Sequence, residues 1–311
     1  MEEKYQSEWS RELPMKEQLT IVQRLFRFAK PFRRMFYTAI LFAFGLSIIN
    51  ILLPRVIQVF MDNYLTPKTA TMQVILTFAA IYFFGVIVKS IVWFFQWYLY
   101  SMASLKTYQY IRVKLFEKLH TLGMRYFDQT PAGSTVSRVT NDTETLFEFW
   151  YVFLMVITGI FAVISSFFAM FQLSPEISFY CLIFLPILLV VIWYYQKFSS
   201  KLYRSMREKL SQLNTKLNEY ISGMQIIQQF RQEKRLEKEF EETNDDYLKT
   251  RVAMIRMNSL LLSPIINLLY TLAIALALTM FGIDALHSPV EAGMIYAFVT
   301  YVQAFFNPMT Q

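Results

Sequence analysis

The sequence is poor in the residue types that most often build cross-linked or metal-binding sites. It has one cysteine, Cys181, and two histidines, His120 and His287, in 311 residues. A single cysteine excludes a disulfide or a cysteine-based metal site within one chain. The histidines lie in segments that the charge pattern assigns to opposite sides of a membrane, so they cannot share one metal ion. The sequence therefore predicts no metal site.

Glycine is also scarce, with eight residues, and no glycine is followed by lysine. A phosphate-binding loop of the type GxxxxGK[ST] needs that pair, because its backbone N–H groups and its lysine hold the nucleotide. Asp128, Asp142 and Glu144 could suggest paired catalytic carboxylates, but they lie in a stretch with many Arg and Lys residues. Salt bridges or helix caps are the better interpretation. No catalytic residue is predicted in this chain.

Charge is absent from six long stretches of the chain, which is 55% hydrophobic and has a mean hydropathy of +0.34. A helix needs about 20 apolar residues to cross the roughly 30 Å hydrocarbon layer of a membrane. The six runs are 35–54, 69–88, 149–175, 177–196, 257–283 and 292–311. The second run resumes after Lys89, so its helix should project from the membrane. The sequence predicts an all-α, multi-pass membrane protein with six transmembrane helices.

The basic residues indicate the orientation in the membrane. Of the 30 Lys and Arg residues, 27 fall in segments 1–34, 106–148 and 197–256. Short cytoplasmic segments carry an excess of Lys and Arg, which places these three segments and the N-terminus in the cytoplasm. We expect the membrane to be the plasma membrane. The net charge of +7 is explained by this asymmetry, so no nucleic-acid partner is predicted.

The N-terminal cytoplasmic segment, 1–34, contains a pattern typical of an amphipathic helix. Its apolar residues recur near helical spacing among basic residues, at Leu19, Val22, Leu25, Phe26 and Ala29. We expect this helix to lie at the membrane interface and to end at Pro31. The alternative is a solvated basic tail.

Both long inner loops, about 106–148 and 197–256, carry apolar residues at three-four spacing, which predicts antiparallel helix pairs that extend the transmembrane helices into the cytoplasm. The tip of the first pair contains "RYFDQTPAGSTVSRVTNDTE", residues 125–144. There we expect a short crosswise helix with Asp128 as a cap, Pro131 in its first turn and Gly133 as its left-handed end. The next helix should start at residue 134 or 135. The second pair should turn within 218–235, where Gly223 is the only helix breaker.

Polar residues inside the apolar runs are candidates for a substrate cavity, because unpaired polar atoms are costly in lipid. Amides and neighbouring aromatic rings would suit large apolar cations. The candidates are Asn50, Trp93, Gln96, Trp97, Asn267, Gln303, Phe306 and Asn307. The alternative is hydrogen bonding between helices together with an interfacial aromatic belt. Lys89 falls late in its run, where its side chain can reach toward the inner interface.

Three segments resemble the multidrug half-transporter type of ATP-binding cassette (ABC) exporters. "RVKLFEKLHTLGMRYFDQTPAGSTVSRVTNDTE" (112–144) is similar to the first intracellular loop, "LNEYISGMQIIQQFRQEKR" (217–235) to the second, and "EAGMIYAFVTYVQAFFNP" (291–308) to the start of the sixth helix. Pro54 and Asp62 match the end of the first helix. The likeness covers nearly the whole chain and is closest to bacterial half-transporters that often form heterodimers.

This resemblance implies a type-1 exporter transmembrane domain over residues 35–311, in a domain-swapped dimer with a second half-transporter chain. It implies that both loop tips are coupling helices that contact nucleotide-binding domains. The first comprises Phe127, Asp128, Gln129, Thr130, Pro131 and Gly133, and the second comprises Glu219, Tyr220, Gly223 and Met224. Asp62 matches a gating position, and Glu291 shares its acidic outer rim.

The resemblance also implies ATP-driven export of amphipathic compounds. The chain stops at Gln311 inside an apolar run, so we expect a nucleotide-binding domain, with its ATP and Mg²⁺, to follow residue 311 in the full-length protein. That protein would be an ATP-hydrolysing translocase. Two other classes stay open: a channel or secondary transporter subunit, which would need charged or broken intramembrane segments, and a membrane scaffold that does not transport.

Overall fold

A computed structural model describes residues 15–259, 263–287 and 289–309, and within these ranges the chain forms helices and no β-strand. This confirms the predicted all-α class. The α-helices are α1 Met15–Ala29, α2 Arg33–Phe60, α3 Met72–His120, α4 Met124–Gln129, α5 Ala132–Leu173, α6 Pro175–Leu182, α7 Phe184–Ser222, α8 Met224–Gln229, α9 Glu233–Met257, α10 Ser263–His287 and α11 Ala292–Phe306. Two 3-10 turns, Lys30–Phe32 and Asn307–Met309, and one π-turn, Met61–Leu65, complete the order.

The chain divides into two compact units. The first contains the described residues 15–178 and 277–309, and the second contains those between 179 and 276. In the first unit, α2, α3, α5 and α11 pack on one another. In the second unit, α7 packs on α9.

An aromatic cluster stabilises one end of the first unit. Trp150 of α5 is buried against Phe36 of α2 and Tyr100 of α3. The Tyr100 hydroxyl donates a hydrogen bond of 2.8 Å to the Trp150 carbonyl oxygen. Ala39 and Ala103 are fully buried in the same cluster, and their small side chains allow α2 and α3 to approach closely. These contacts fix the relative positions of the three helices.

The second unit contains an antiparallel helix pair, α7 and α9, held by polar contacts along its length. Lys216 Nζ of α7 lies 3.2 Å from Glu239 Oε1 of α9, and Lys209 Nζ lies 3.8 Å from Asp246 Oδ2. The Tyr195 hydroxyl donates a 2.7 Å hydrogen bond to Asn258 Oδ1, just beyond α9. In these pairs a lower residue number in α7 goes with a higher residue number in or beyond α9, so the two helices run in opposite directions. The predicted antiparallel pairing in the second long loop is therefore confirmed.

Helix boundaries differ from the predicted bounds near three proline residues. The N-terminal helix ends at Ala29, two residues before the predicted end at Pro31, which lies in the 3-10 turn. Helix α2 continues through Pro54 to Phe60, whereas the first run stops at Pro54. Pro186 lies near the start of α7, where its missing N–H and its ring disfavour a helical bond to residue 182 and separate α6 from α7.

Five helical segments are long and apolar enough to cross a membrane, by length and composition: 19–65, 72–120, 132–173, 175–222 and 264–287. They make the chain a multi-pass membrane protein. Helix α11, in the sixth run, has 15 residues before the turn that contains Pro308, and residues 310 and 311 lie outside the described ranges. The count of six transmembrane helices therefore stays a prediction.

Candidate functional site

The first unit contains a cavity of about 980 Å³. Its walls come mainly from α2, α5 and α11, with Tyr82 and Lys89 from α3. Three of the eight residues predicted for a substrate cavity line it together: Asn50, Gln303 and Asn307. Cavities that hold drug-sized ligands measure about 300–1,000 Å³ and combine apolar walls with a few polar groups. The dimensions and lining suit a ligand of that size.

Local sequence features keep the cavity walls in place. Pro54 has no N–H to donate, so the carbonyl of Asn50, four residues earlier, lacks its usual α-helical donor beside the cavity. The Tyr301 hydroxyl donates a 2.8 Å hydrogen bond to the Ile51 carbonyl and joins α11 to α2. The Ser47 hydroxyl donates a 3.3 Å hydrogen bond to the Phe161 carbonyl and joins α2 to α5. Each of these bonds is made by a residue that lines the cavity.

The other five predicted residues do not line this cavity. Trp93 and Trp97 are exposed on α3, with 57% and 43% of their surface accessible. Gln96 is buried, and its Oε1 atom has no hydrogen-bond partner within the described part of the chain. Phe306 is buried in α11, and Asn267 is exposed on α10 in the second unit. The assignment of these five residues to substrate binding remains a hypothesis.

Several polar lining residues were missed by the sequence analysis. Tyr296 and Thr300 line the cavity together with Gln303 and Asn307. These four residues of α11 and its terminal turn follow one another at spacings of four, three and four, so they share one face. That polar stripe in an apolar run was a signal that could have identified Tyr296 and Thr300. Lys89, interpreted from sequence as reaching the interface, also lines the cavity.

Asp62 and Glu291, the two residues predicted for an outer gate, lie beside each other where α2 meets α11. We call the hydrogen-bonded pair at this junction the Asp62–Gly293 contact. Asp62 lies in the π-turn Met61–Leu65, and its Oδ1 atom accepts a 2.6 Å hydrogen bond from the Gly293 backbone N–H. A Cβ atom at residue 293 would lie 2.6 Å from both Asp62 Oδ1 and the Gln58 carbonyl oxygen. Only glycine allows this approach.

Glu291, directly before α11, adds a second carboxylate to this contact. The negative charge of Asp62, followed by burial and a hydrogen bond with Asp62, raises the pKa of Glu291. One proton shared between two carboxylates would relieve their repulsion. Protonation of Glu291 therefore stabilises the Asp62–Gly293 contact. The gating role of this contact stays a prediction.

The first loop tip is a short helix between two long ones, as predicted, but its capping differs. Helix α4 begins after Gly123 and contains Phe127, Asp128 and Gln129, so Asp128 lies near its end and does not cap its start. Thr130 follows as the C-terminal cap, and Pro131 is the N-terminal cap of α5.

Gly133 was expected in a left-handed conformation, but no described glycine has a positive φ. Helix α5 starts at Ala132, earlier than the predicted residue 134 or 135, and Gly133 is its second residue. The extended backbone of Gly123 and Thr130 makes both turns of this tip, so a left-handed glycine is not needed.

The second loop tip also carries a short helix, α8, and turns within the predicted range 218–235. Glu219 and Tyr220 lie in the last turn of α7, Gly223 separates the helices, and Met224 begins α8. The Gly223 N–H donates a 2.8 Å bond to the Glu219 carbonyl, and a Cβ on residue 223 would lie 3.1 Å from that oxygen.

Apolar side chains are exposed at both tips. Met124 and Phe127 in α4 are 74% and 45% exposed, and Ile226 and Phe230 at the second tip are 62% and 68% exposed. Exposed apolar groups at a helix-presented tip are typical of contact surfaces for another protein. The tips have the shape and chemistry of docking elements.

Comparisons with known proteins agree with this architecture. The family model described as the ABC transporter transmembrane region matches residues 36–309. A Streptococcus pneumoniae protein named as an ABC transporter ATP-binding protein, exp8, is 33% identical over 296 residues, which are 95% of this chain and 50% of that protein.

Two further relatives carry multidrug names. A Bacillus subtilis protein named as a probable multidrug resistance ABC transporter ATP-binding/permease protein, YheH, is 35% identical over 233 residues, 73% of this chain and 34% of that protein. The multidrug resistance-like ATP-binding protein MdlB of Buchnera aphidicola is 28% identical over 290 residues, 93% of this chain and 50% of that protein. The chain thus spans about half the length of the pneumococcal and Buchnera relatives. Because the family model covers nearly all of its helical part, the chain belongs to the ABC transporter transmembrane region family.

Proposed function

We propose that this chain is the transmembrane part of an ATP-driven exporter that moves amphipathic compounds out of the cell by alternating access. The observation that carries the proposal is the cavity of about 980 Å³, whose lining combines apolar side chains with amides inside a membrane-spanning bundle. Amphipathic compounds need such a mixture, because their apolar bodies leave water and their polar groups keep hydrogen bonds. The names of the relatives favour an exporter over a channel, a secondary transporter or a scaffold.

In this proposal the loop tips transmit motion from a nucleotide-binding domain. The 311 residues contain no phosphate-binding loop of the type GxxxxGK[ST], so ATP and Mg²⁺ do not fit the residues of this chain. We place them in a nucleotide-binding domain after residue 311. The relatives' names include ATP-binding proteins, which supports such a domain as a partner. The coupling surfaces are α4 with Thr130 to Gly133, and Glu219 to Met224.

The proposal includes a second half-transporter chain, in a heterodimer, and a plasma-membrane orientation with the loop tips in the cytoplasm. The clustering of Lys and Arg residues in 1–34, 106–148 and 197–256 supports this orientation. The Asp62–Gly293 contact then lies on the outer side, where it would hold the first and last transmembrane segments together while the cavity faces inward.

An exchange of one exposed aromatic residue tests the coupling role. In the full-length protein with its partner, Phe127→Ser should abolish dye transport in proteoliposomes while basal ATP hydrolysis persists without drug stimulation. Phe127 is 45% exposed in α4, and Phe116, which is 55% exposed on the stem of α3, provides the matched control Phe116→Ser. The control should transport like the wild type, because Phe116 lies in α3 and outside the short helix α4 of the tip.

Replacing residues 127–133 with a flexible Gly-Ser linker extends the test to the whole first tip. Membrane insertion should survive, because the transmembrane helices and their flanking charges are unchanged. Transport at the wild-type rate in this variant would contradict the coupling role. Absence of ATP-dependent transport of every amphipathic dye by the unmodified protein would contradict the proposed function itself.

A further inference from the structure

We infer that the cavity selects amphipathic compounds with an anionic head group, and that Lys89 is the residue that sets this preference. The inference rests on the proposed function and names the substrate class of the same cavity. It differs from the cationic substrate that the amides and tryptophans of the sequence suggest.

The charge of the cavity wall is the first support. Among the 29 described residues that line the cavity, Lys89 is the one charged residue, and none carries a carboxylate. Lys89 is half-buried, and within the described ranges its ammonium group makes no hydrogen bond or ion pair. An unpaired lysine inside a membrane is costly, by about 2.5–3.5 kcal/mol at the centre of the bilayer. An anionic ligand would offset part of that cost, whereas a cationic ligand would increase it.

The positions of the aromatic residues are the second support. Binding of a large apolar cation relies on the faces of tryptophan and other aromatic rings. Trp93 and Trp97 do not line the cavity, and neither does any other tryptophan among the described residues. The aromatic lining residues are Tyr82, Tyr296 and Tyr301, and the Tyr301 hydroxyl is already bonded to the Ile51 carbonyl. The described wall of the cavity therefore lacks the indole ring that best binds cations.

The remaining wall provides a place for an apolar body. Helix α5 contributes Val152, Val156, Ile160 and Val163 to the lining, at spacings of four, four and three that place them on one face. Amides of Asn50 and Gln303 add neutral hydrogen-bond donors. A hydrocarbon or aromatic body packed on α5, with a carboxylate, sulfonate or phosphate near Lys89, satisfies both parts of the wall.

Three probes with one apolar body test the preference: pyrenebutyrate, pyrenebutanol and pyrenebutyl-trimethylammonium. Their binding to the full-length protein with its partner is measured by fluorescence in phosphatidylcholine nanodiscs without ATP. The wild type should bind pyrenebutyrate about tenfold more tightly than pyrenebutanol, which corresponds to about 1.4 kcal/mol, and should bind the cation most weakly. Equal or tighter binding of the cationic probe by the wild type overturns the inference without any variant.

Variants at Lys89 assign the effect to this residue. Lys89→Gln should lose the tenfold preference for pyrenebutyrate and keep the affinity for pyrenebutanol, which also shows that the cavity is intact. Lys89→Arg should retain the preference, because it keeps the positive charge. The matched control is Lys106→Gln, since Lys106 is the next lysine on α3, is exposed and does not line the cavity. An unchanged preference in Lys89→Gln, or an equal loss in Lys106→Gln, overturns the assignment.

Two further arms separate the source of the anion and the fate of the proposed function. Competition by phosphatidylglycerol added to the nanodiscs would identify a lipid head group as the anion, and its absence would identify a free compound; either supports an anionic site. ATP-dependent transport of the same probes is then measured in proteoliposomes. Transport of the cation with no effect of Lys89→Gln refutes the inference and leaves the exporter proposal standing. Lys89-dependent binding of the anion without transport of any probe supports the inference and contradicts the exporter proposal.

Discussion

Substitution of Gly293 by alanine should open the junction of α2 and α11. The added Cβ would lie 2.6 Å from the Gln58 carbonyl oxygen and from Asp62 Oδ1. Carbon and oxygen atoms normally approach to about 3.3 Å, so α11 must move away by about 0.7 Å. The Gln58 oxygen belongs to the backbone of α2 and cannot rotate aside. The 2.6 Å hydrogen bond from Gly293 to Asp62 would lengthen by a similar distance.

The magnitude follows from two opposing effects. Loss of a hydrogen bond to a charged group costs about 1.5–3 kcal/mol, and replacement of glycine by alanine in a helix returns up to about 1 kcal/mol. The net cost of about 1–2 kcal/mol corresponds to a factor of about 5–30 in a local opening equilibrium. Hydrogen exchange of a peptide covering residues 289–298, followed by mass spectrometry, should accelerate by that factor in Gly293→Ala.

Gly282 provides the matched control, since a Cβ at that position meets no atom within 4 Å. Gly282→Ala should leave hydrogen exchange at 289–298 unchanged, because it does not disturb the contact between α11 and α2. Asp62→Ala should accelerate this exchange and, under the alternating access proposed above, should shift the full-length protein between inward-facing and outward-facing populations. Wild-type exchange in Gly293→Ala, or the same acceleration in Gly282→Ala, would refute the close-approach argument.

Three other predictions concern titration, burial and surface charge. Asp62 raises the pKa of Glu291, so Glu291 takes up a proton on folding. The stability that this proton adds is present below the unfolded pKa and is lost as the pH rises through the raised folded pKa. Glu291→Gln should therefore abolish the pH dependence of hydrogen exchange at 289–298, after correction for intrinsic exchange rates. Tyr100→Phe removes the buried bond to the Trp150 carbonyl and should cost about 1 kcal/mol, a fall in Tm of about 2–4 °C, whereas Tyr98→Phe, at a residue 49% exposed, should change the Tm little. Lys216→Met breaks a partly exposed ion pair with Glu239 and should lower the free energy of unfolding by at most about 1 kcal/mol. Calorimetry should show a smaller difference between variant and wild type at high salt, because salt screens the pair.

The sequence predicted the helices and their extensions because these depend on local pattern. Uninterrupted apolar runs and three-four spacing determine helix type, and they anticipated the helical loop pair around Gly223. Proline effects were less predictable. Pro54 lies inside α2. In membrane helices, packing of neighbouring helices can compensate for the hydrogen bond that proline removes, and that compensation is a tertiary property.

The identity of the residues that line the cavity was the least predictable feature. Lys89 and Trp93 are four residues apart on α3, yet Lys89 lines the cavity and Trp93 does not. Because residues four apart share a helix face, the difference depends on where along α3 the cavity lies, which no single helix encodes. The close approach at Gly293 likewise depends on the π-turn that brings Asp62 to α11. Asp62, the partner of Gly293, lies 231 residues earlier in the chain, too far for a local sequence pattern to show the contact.

Helix α3 is continuous over 49 residues, from Met72 to His120. At about 1.5 Å per residue it is about 73 Å long, more than twice the thickness of the hydrocarbon layer. A rod of this length amplifies rotation: a tilt of about 5° about one end displaces the other by about 6 Å. Changes of a few degrees at the loop tip are thus sufficient to move atoms at the far end by more than a water diameter, and no hinge within the helix is required.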